Sequence, residues 1–307
     1  MSILCLSGSR ADYGYILPVA DALGEGVFDL STMIEGRDTP ESLATRAGIF
    51  GATVAERIAR TKPRLLLVVG DRWEILSACQ AAVLARVPIA HLGAGEVTTG
   101  SYDNRFRAAI EALATLPICL THRAYARLEG AGVLAGCTSV QPPADVPAGD
   151  GTAILALYPE TAGDDVAPLL GPVARLLRDL RLEVLTIGSN PDTGSGGFAG
   201  DSLPAEQFQA RLAAATVIVG NSSAGIIEAP ILCTPTVNIG KRQEGRPQAA
   251  SVFQADATID SIGEAIKHAL AFGKQRVDSP YYRPGAAQTI ANGIRNYLEE
   301  RNASHPA

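Results

Sequence analysis

The chain of 307 residues has no apolar run long enough to cross a bilayer. Its most apolar stretch, Ile75 to Gly95, is broken by Gln80, Arg86, Pro88 and His91. The start, Met1-Ser2-Ile3-Leu4-Cys5-Leu6, has neither the basic n-region nor the long h-region of a secretory leader, so a cytoplasmic protein without a membrane partner is expected. An excess of basic charge is also missing. Lys and Arg number 26 against 32 Asp and Glu, a net charge of −6 that leaves no overall field to draw nucleic acid or an anionic membrane. Any anionic ligand must be held by a local basic or backbone site. The five cysteines contain no C-x-x-C pair, and His91, His122, His268 and His305 show no metal-ligand spacing. Reduced thiols and no structural zinc are therefore expected. The 31 Gly and 19 Pro follow no fixed period, which excludes a collagen-like tract or a repeat array.

What is present is a large apolar fraction, 47% against 19% charged, enough to fill the cores of two domains. Short β-like runs alternate with longer helical ones, the pattern of a parallel sheet covered by helices on both faces. In the first half the pattern predicts strands at Ile3–Ser7, Phe28–Ile34, Leu65–Gly70, Ile89–Leu92 and Ile118–Thr121. Helices are expected near Tyr13–Leu23, Glu41–Arg60, Trp73–Ala85 and Asp103–Thr115. The Pro/Gly-rich stretch Gln141 to Gly149 reads as an interdomain linker. Beyond it, strands are expected at Ala153–Leu157, Glu183–Ile187, Val217–Gly220 and Thr236–Ile239. The matching helices fall near Val166–Leu177, Glu206–Ala214, Gly225–Ala229, Ser261–Phe272 and Ala286–Glu300. The fold class is thus α/β, with two Rossmann-like domains at 1–145 and 150–283 and a C-terminal helix and tail at 284–307. Two such units facing a central cleft would hold ligand between the carboxyl ends of both sheets. Ser195 to Gly200 reads as a surface connection.

The informative residues cluster where strands end. After the first strand, Ser7-Gly8-Ser9-Arg10-Ala11-Asp12-Tyr13-Gly14 is neither a dinucleotide G-x-G-x-x-G nor a P-loop. A Gly-Ser turn opening a helix still offers backbone N–H groups, and Arg10 adds a permanent donor for phosphate; an ordinary turn has the same look. Asp71, after Leu65-Leu-Leu-Val-Val-Gly70, is a carboxylate at a strand mouth, equally readable as acid/base group or helix N-cap. His91-Leu-Gly-Ala-Gly95-Glu96 brings a second carboxylate to the same edge. Asp103 and Arg107, at i,i+4 spacing, could form an ordinary surface pair unless their helix begins close to Glu96. Ser222 and Ser223 lack the G-x-S-x-G frame, which disfavours a serine hydrolase.

The strongest local feature is Val217-Ile-Val-Gly-Asn221-Ser222-Ser223-Ala224-Gly225-Ile-Ile-Glu228-Ala-Pro230. A buried strand leads through small hydrogen-bonding residues into a helix, a cradle for phosphate made of N–H groups, two hydroxyls and the positive helix end. Glu228, one turn along, could accept two hydrogen bonds from a ribose diol. Lys241, Arg242 and Arg246 follow the next strand, either as a solvated basic turn or as partners of a nucleotide diphosphate.

With Gly8-Ser-Arg-Ala-Asp-Tyr-Gly14, Gly70-Asp-Arg-Trp-Glu-Ile-Leu76, Ala90-His-Leu-Gly-Ala-Gly-Glu96, the Asn221 to Pro230 block and Asn238-Ile-Gly-Lys-Arg-Gln243, the chain resembles the UDP-N-acetylglucosamine 2-epimerases. The resemblance runs in order from Ser7 to about Leu298 and is strongest to the hydrolysing branch of sialic and legionaminic acid biosynthesis. It implies a GT-B type fold, a UDP-N-acetyl sugar substrate with UDP as product, a homodimer, and no metal or nicotinamide cofactor. It also implies anti elimination of UDP with loss of the C2 proton, then readdition on the other face. By position, Asp71 and Glu96 would transfer protons, with Asp103 and the family arginine Arg107 beside them. Arg10, Ser222, Ser223, Gly225 and Arg242 would hold the diphosphate and Glu228 the ribose. Four departures bear on the sugar site. The segment between Ile34 and Thr53 is short, Asn104 replaces an acidic residue, Ala108 replaces a histidine, and Tyr158 replaces a histidine that is commonly catalytic. The nucleotide site is expected to be better kept than the sugar site. The competing reading is a nucleotide-sugar-binding protein without turnover, or a glycosyltransferase of the same architecture, which would depend on an acceptor.

Overall fold

A computed structural model describes residues 2–34, 39–98, 103–158, 166–188 and 203–304. Two parallel sheets organise them. The first contains β1 (Ile3–Ser7), β2 (Val27–Asp29), β3 (Leu65–Val69), β4 (Ile89–Leu92), β5 (Leu116–Cys119) and β6 (Val133–Leu134), in the order β2-β1-β3-β4-β5-β6. The second contains β7 (Thr152–Ala156), β8 (Glu183–Thr186), β9 (Val217–Gly220), β10 (Thr236–Ile239) and β11 (Val252–Ala255), in the order β11-β10-β9-β7-β8. Helices on both faces explain why Leu65 to Val69 is a continuous apolar run with no polar alternation: all five residues are buried.

The chain divides into two compact units. Unit 1 comprises 1–96, 103–139 and 283–307, and unit 2 comprises 97–102 and 140–282. Unit 1 carries α1 (Arg10–Leu23), α2 (Pro40–Thr61), α3 (Trp73–Leu84), α4 (Asn104–Leu113) and α5 (His122–Arg127). Unit 2 carries α6 (Leu170–Asp179), α7 (Ala205–Ala214), α8 (Ser223–Ile227) and α9 (Ile259–Phe272). The last helix, α10 (Ala286–Ser304), belongs to unit 1, where the Arg295 guanidinium donates to the Ala22 carbonyl at 2.6 Å and Arg64 reaches the Leu298 carbonyl at 3.3 Å.

Each core lies between a sheet and its helices. Phe50, Val54 and Ile58 of α2 and Ile75, Ala78 and Cys79 of α3 pack on Leu4, Leu6, Leu66 and Val68. In unit 2, Val173 and Leu177 of α6 and Ile262, Ile266 and Ala269 of α9 pack on Leu155, Val219 and Val237. Local signals set the helix starts. Ser9 caps α1 through the Asp12 N–H at 3.2 Å, and Thr39 with Ser42 forms a reciprocal capping box at α2, caps of this kind contributing about 1 kcal/mol each.

Strand order places the functional loops. In the first sheet the chain goes from β1 to β2 on one side and then to β3 on the other, so the loops after β1 and β3 flank a topological switch point. In the second, β8 lies on one side of β7 and β9 on the other, so the loops after β7 and β9 do the same. Open α/β sheets take their ligands at such points. Gly220, which ends β9, has φ +149° and its Cβ position would lie 2.0 Å from the Ala156 carbonyl oxygen, so only glycine fits there.

Several elements differ from the sequence expectation. The strand expected over Phe28–Ile34 is β2 followed by a 3-10 turn at Ser31–Ile34, because Asp29 accepts from the Ser31 backbone N–H and hydroxyl and ends the extended run. The helix expected from Val166 begins as a 3-10 turn, Ala167–Leu169, before α6. α5, β6 and β11 have no counterpart among the elements expected from the sequence. The expected loop at Ser195 to Gly200 lies outside the described residues. No described helix is long and apolar enough to cross a membrane.

Candidate active site

In unit 1 the site is built on two neighbouring strand ends. β3 stops at Val69, and Asp71 follows in a turn whose N-cap position is held by Arg72 without a side-chain capping bond, so Asp71 does not serve as the helix cap. The buried Arg107 of α4 forms an ion pair with the Asp71 carboxylate and donates to the Asn104 amide oxygen. An exposed Asp103–Arg107 pair is therefore not what this helix presents: Arg107 is only 4% exposed and points to the end of β3. Asp103 stands at the N-cap, where its carbonyl accepts from the Arg107 N–H at 2.8 Å.

Glu96 follows β4 through the turn Gly93-Ala-Gly95. Its carboxylate is buried and accepts from the Thr121 hydroxyl at 3.1 Å. Thr121 also caps α5 by accepting from the Ala124 N–H, so one hydroxyl links Glu96 to the start of that helix. His91 of β4 makes a 2.7 Å hydrogen bond from Nε2 to the Gly70 carbonyl, beside the turn that carries Asp71. Burial pushes its pKa below the usual imidazole value, against the raising effects of the Gly70 carbonyl, Glu111 and Asp71. The ring is then neutral with its proton on Nε2.

Unit 2 forms a second cluster. The Asn221 side chain makes a reciprocal pair with the Tyr158 backbone, accepting from its N–H at 2.7 Å and donating to its carbonyl at 2.8 Å. This locks the loops after β7 and β9 together. Ser222 caps α8 through the Ala224 N–H at 3.3 Å, and Ser223 opens the helix; both are half-buried. α8 is only five residues long, so its dipole is shorter than the sequence pattern suggests. Gly225 lets α8 approach β10, where the Thr236 hydroxyl donates to the Gly225 carbonyl at 2.7 Å. Glu228 is buried at the end of α8. Arg242 donates to the Asn221 carbonyl at 3.0 Å and lies over the Tyr158 ring at 5.4 Å, while Lys241 beside it is exposed. Burial raises the Tyr158 pKa, opposed by Arg242 and by a hydrogen bond with Ser222, so its phenol stays neutral near pH 7. Arg10 opens α1, but its side chain lies outside the described part of the structure.

Other residues in contact with these two clusters escaped the sequence reading. Glu74 is fully buried in α3, 2.6 Å from Arg72 and packed against Gly8, and an acidic residue in so apolar a helix was the available signal. Glu111 and Arg127 hold the Gly95 turn, and Gln243 donates to the Asn221 carbonyl at 2.9 Å. Among the described residues no group of His, Cys, Asp and Glu is arranged to hold a metal ion.

The family described as UDP-N-acetylglucosamine 2-epimerase matches residues 3–137 and 197–295. The polysialic acid biosynthesis protein P7 of Escherichia coli is 26% identical over 282 residues, covering 78% of this chain and 72% of that protein. The UDP-N,N'-diacetylbacillosamine 2-epimerase (hydrolyzing) of Legionella pneumophila is 25% identical over 335 residues, covering 87% and 88%. In structure, the Methanocaldococcus jannaschii UDP-GlcNAc 2-epimerase in complex with UDP-GlcNAc and UDP superposes with a TM-score of 0.77 at 14% identity, over 97% of this chain and 100% of that one. The Neisseria meningitidis enzyme bound to UDP-GlcNAc gives 0.74 at 14% identity, over 98% and 100%.

Proposed function

The chain belongs to the UDP-N-acetylglucosamine 2-epimerase family, and from that premise we propose that it converts a UDP-N-acetyl sugar into the 2-epimeric free N-acetyl sugar and UDP. The observation that carries this reading is the pair of carboxylates on adjacent strand ends in different surroundings, Asp71 against the buried guanidinium of Arg107 and Glu96 against the Thr121 hydroxyl. In the first step one carboxylate takes the C2 proton, the C1–O bond to UDP breaks, and the electron pair forms the C1–C2 double bond of a 2-acetamidoglucal. In the second, water adds at C1 and a proton reaches C2 from the opposite face. Such positioned acid/base groups typically contribute about 10²–10⁴-fold each.

Arg10, Ser222, Ser223, Gly225 and Arg242 are assigned to the diphosphate and Glu228 to the ribose; Asp103 and Arg107 orient the proton-transfer groups. Tyr158 is a neutral donor where the family pattern has a histidine, so it can orient a phosphate or a water but not act as an imidazolium. The same reading takes the protein as a cytoplasmic homodimer, in keeping with five free cysteines, its assembly to be measured by sedimentation.

The test is incubation with UDP-N-acetylglucosamine, and separately with a UDP-diacetamido sugar, in deuterated water, following free UDP and C2 configuration by NMR. Free UDP together with a C2-deuterated, inverted N-acetyl sugar is expected. An inverted sugar still joined to UDP would replace the hydrolysing assignment with reversible epimerisation. Intact, unlabelled substrate in both cases would reject the enzyme reading.

A further inference from the structure

We propose that Glu111 and Arg127 act as a positioning pair for Glu96, an inference that rests on the catalytic reading of Glu96 given above. The turn after β4 leaves the sheet early: the Gly93 and Ala94 N–H groups both go to the Ile118 carbonyl, at 2.9 and 3.2 Å. Gly95 has passed the ladder, and its backbone groups need other partners. Both are supplied by one ion pair. Glu111 Oε1 accepts from the Gly95 N–H at 2.9 Å, and Arg127 Nε donates to the Gly95 carbonyl at 2.8 Å. Arg127 Nη2 then closes on both Glu111 oxygens at 2.7 Å.

The Gly95 carbonyl belongs to the peptide that ends at the Glu96 nitrogen. Fixing that plane fixes the direction in which the Glu96 side chain leaves the backbone, and the Thr121 hydroxyl fixes its far end. Gly95 is itself constrained, at φ +80° with its Cβ position 2.6 Å from the Ala124 carbonyl oxygen, so the turn has no alternative packing with a larger residue. Glu111 lies on α4, the helix that presents Arg107 to Asp71, so one pair ties the Glu96 turn to the element orienting the other carboxylate. The Arg127 side chain is 43% exposed and that of Glu111 14%, and the pair serves the buried Gly95 backbone, so its loss lowers stability to some extent. A positioning role is distinguished by a fall in kcat that KM and UDP affinity do not share.

The experiment compares Arg127→Ala and Glu111→Gln with wild type in steady-state turnover of UDP-N-acetylglucosamine, UDP affinity by calorimetry, and thermal stability. Displacement of a reacting group by about 1 Å can cost about 100-fold, so kcat should fall about 10- to 100-fold in both variants, with KM and UDP affinity within about twofold. Added guanidinium should restore part of the turnover of Arg127→Ala and none of Glu111→Gln. If Arg127→Ala does not fold, Glu111→Gln, which keeps an acceptor for the Gly95 N–H, carries the comparison. Unchanged kcat, or kcat, KM, UDP affinity and stability declining together, overturns the inference in an active enzyme. A wild type that turns over no UDP-N-acetyl sugar overturns the functional reading instead, and the inference with it.

Discussion

Asp71 and Glu96 differ in what holds them, and that difference is testable. With Arg107 on Asp71 and Thr121 on Glu96, each carboxylate is oriented by a group from another element. Asp71→Asn and Glu96→Gln should each lower turnover by about 100-fold or more while UDP affinity stays within a few-fold, the pattern of groups used in the transition state. Near-normal turnover in both would sink the assignment. Arg242, which lies over the Tyr158 ring and donates to the Asn221 carbonyl, is the residue proposed for the diphosphate. Loss of a charged hydrogen-bond partner costs about 1.5–3 kcal/mol, so Arg242→Ala should weaken UDP binding by roughly 10- to 150-fold. Tyr158→Phe, which keeps the ring under Arg242 and removes the phenol, should cost UDP binding about 0.5–1.5 kcal/mol. Calorimetric titration with UDP showing no change in either variant would remove both residues from the site.

At the scale of elements, β3 and β4 are joined by more than their ladder. Val68 and His91 are register partners, and His91 reaches the Gly70 carbonyl just beyond the end of β3. Because burial holds the folded-state pKa of His91 below the ordinary 6.5, the unfolded chain binds the proton more readily below that value. The contribution of His91 to stability is therefore intact above pH 6.5 and is lost as pH falls below it. His91→Gln, which keeps a donor for Gly70 and cannot titrate, should flatten this acid dependence in urea unfolding between about pH 5 and 7.5. An unaltered slope would show that other groups control it.

The same scale shows what could be read in advance. β3 and β9 were legible because a strand buried on both faces has to be an apolar run, and Asp71, Asn221 and Ser222 were legible because they come directly after such runs. The edges were harder. β11, with Gln254 pointing its amide at the Gly240 carbonyl, and the six-residue α5 carry too little periodicity to stand out. Pairings that cross elements left no local trace at all: Arg107 is 36 residues from Asp71, and Arg127 is 16 from Glu111. Their geometry exists only once β3, β4, α4 and α5 are assembled.

For the whole molecule, the decisive feature is that unit 1 is discontinuous. Residues 283–307 return to it, and α10 buries Ile290, Ile294 and Leu298 there while Arg295 and Arg64 bond across to and from it. Removing residues 286–307 should therefore expose unit 1 selectively. Limited proteolysis of the shortened chain is expected to cut within 2–139 first and to leave a resistant fragment spanning 140–282, and equal susceptibility of both regions would contradict this. Synthesis adds a matter of timing. After Ser139 leaves the ribosome, 143 residues belonging to unit 2 must be made before Arg283 appears, which takes on the order of ten seconds at ordinary elongation rates. The unit begun first is thus completed last, and in that interval its nascent surface over α1 waits uncovered, a window in which a chaperone has something to hold.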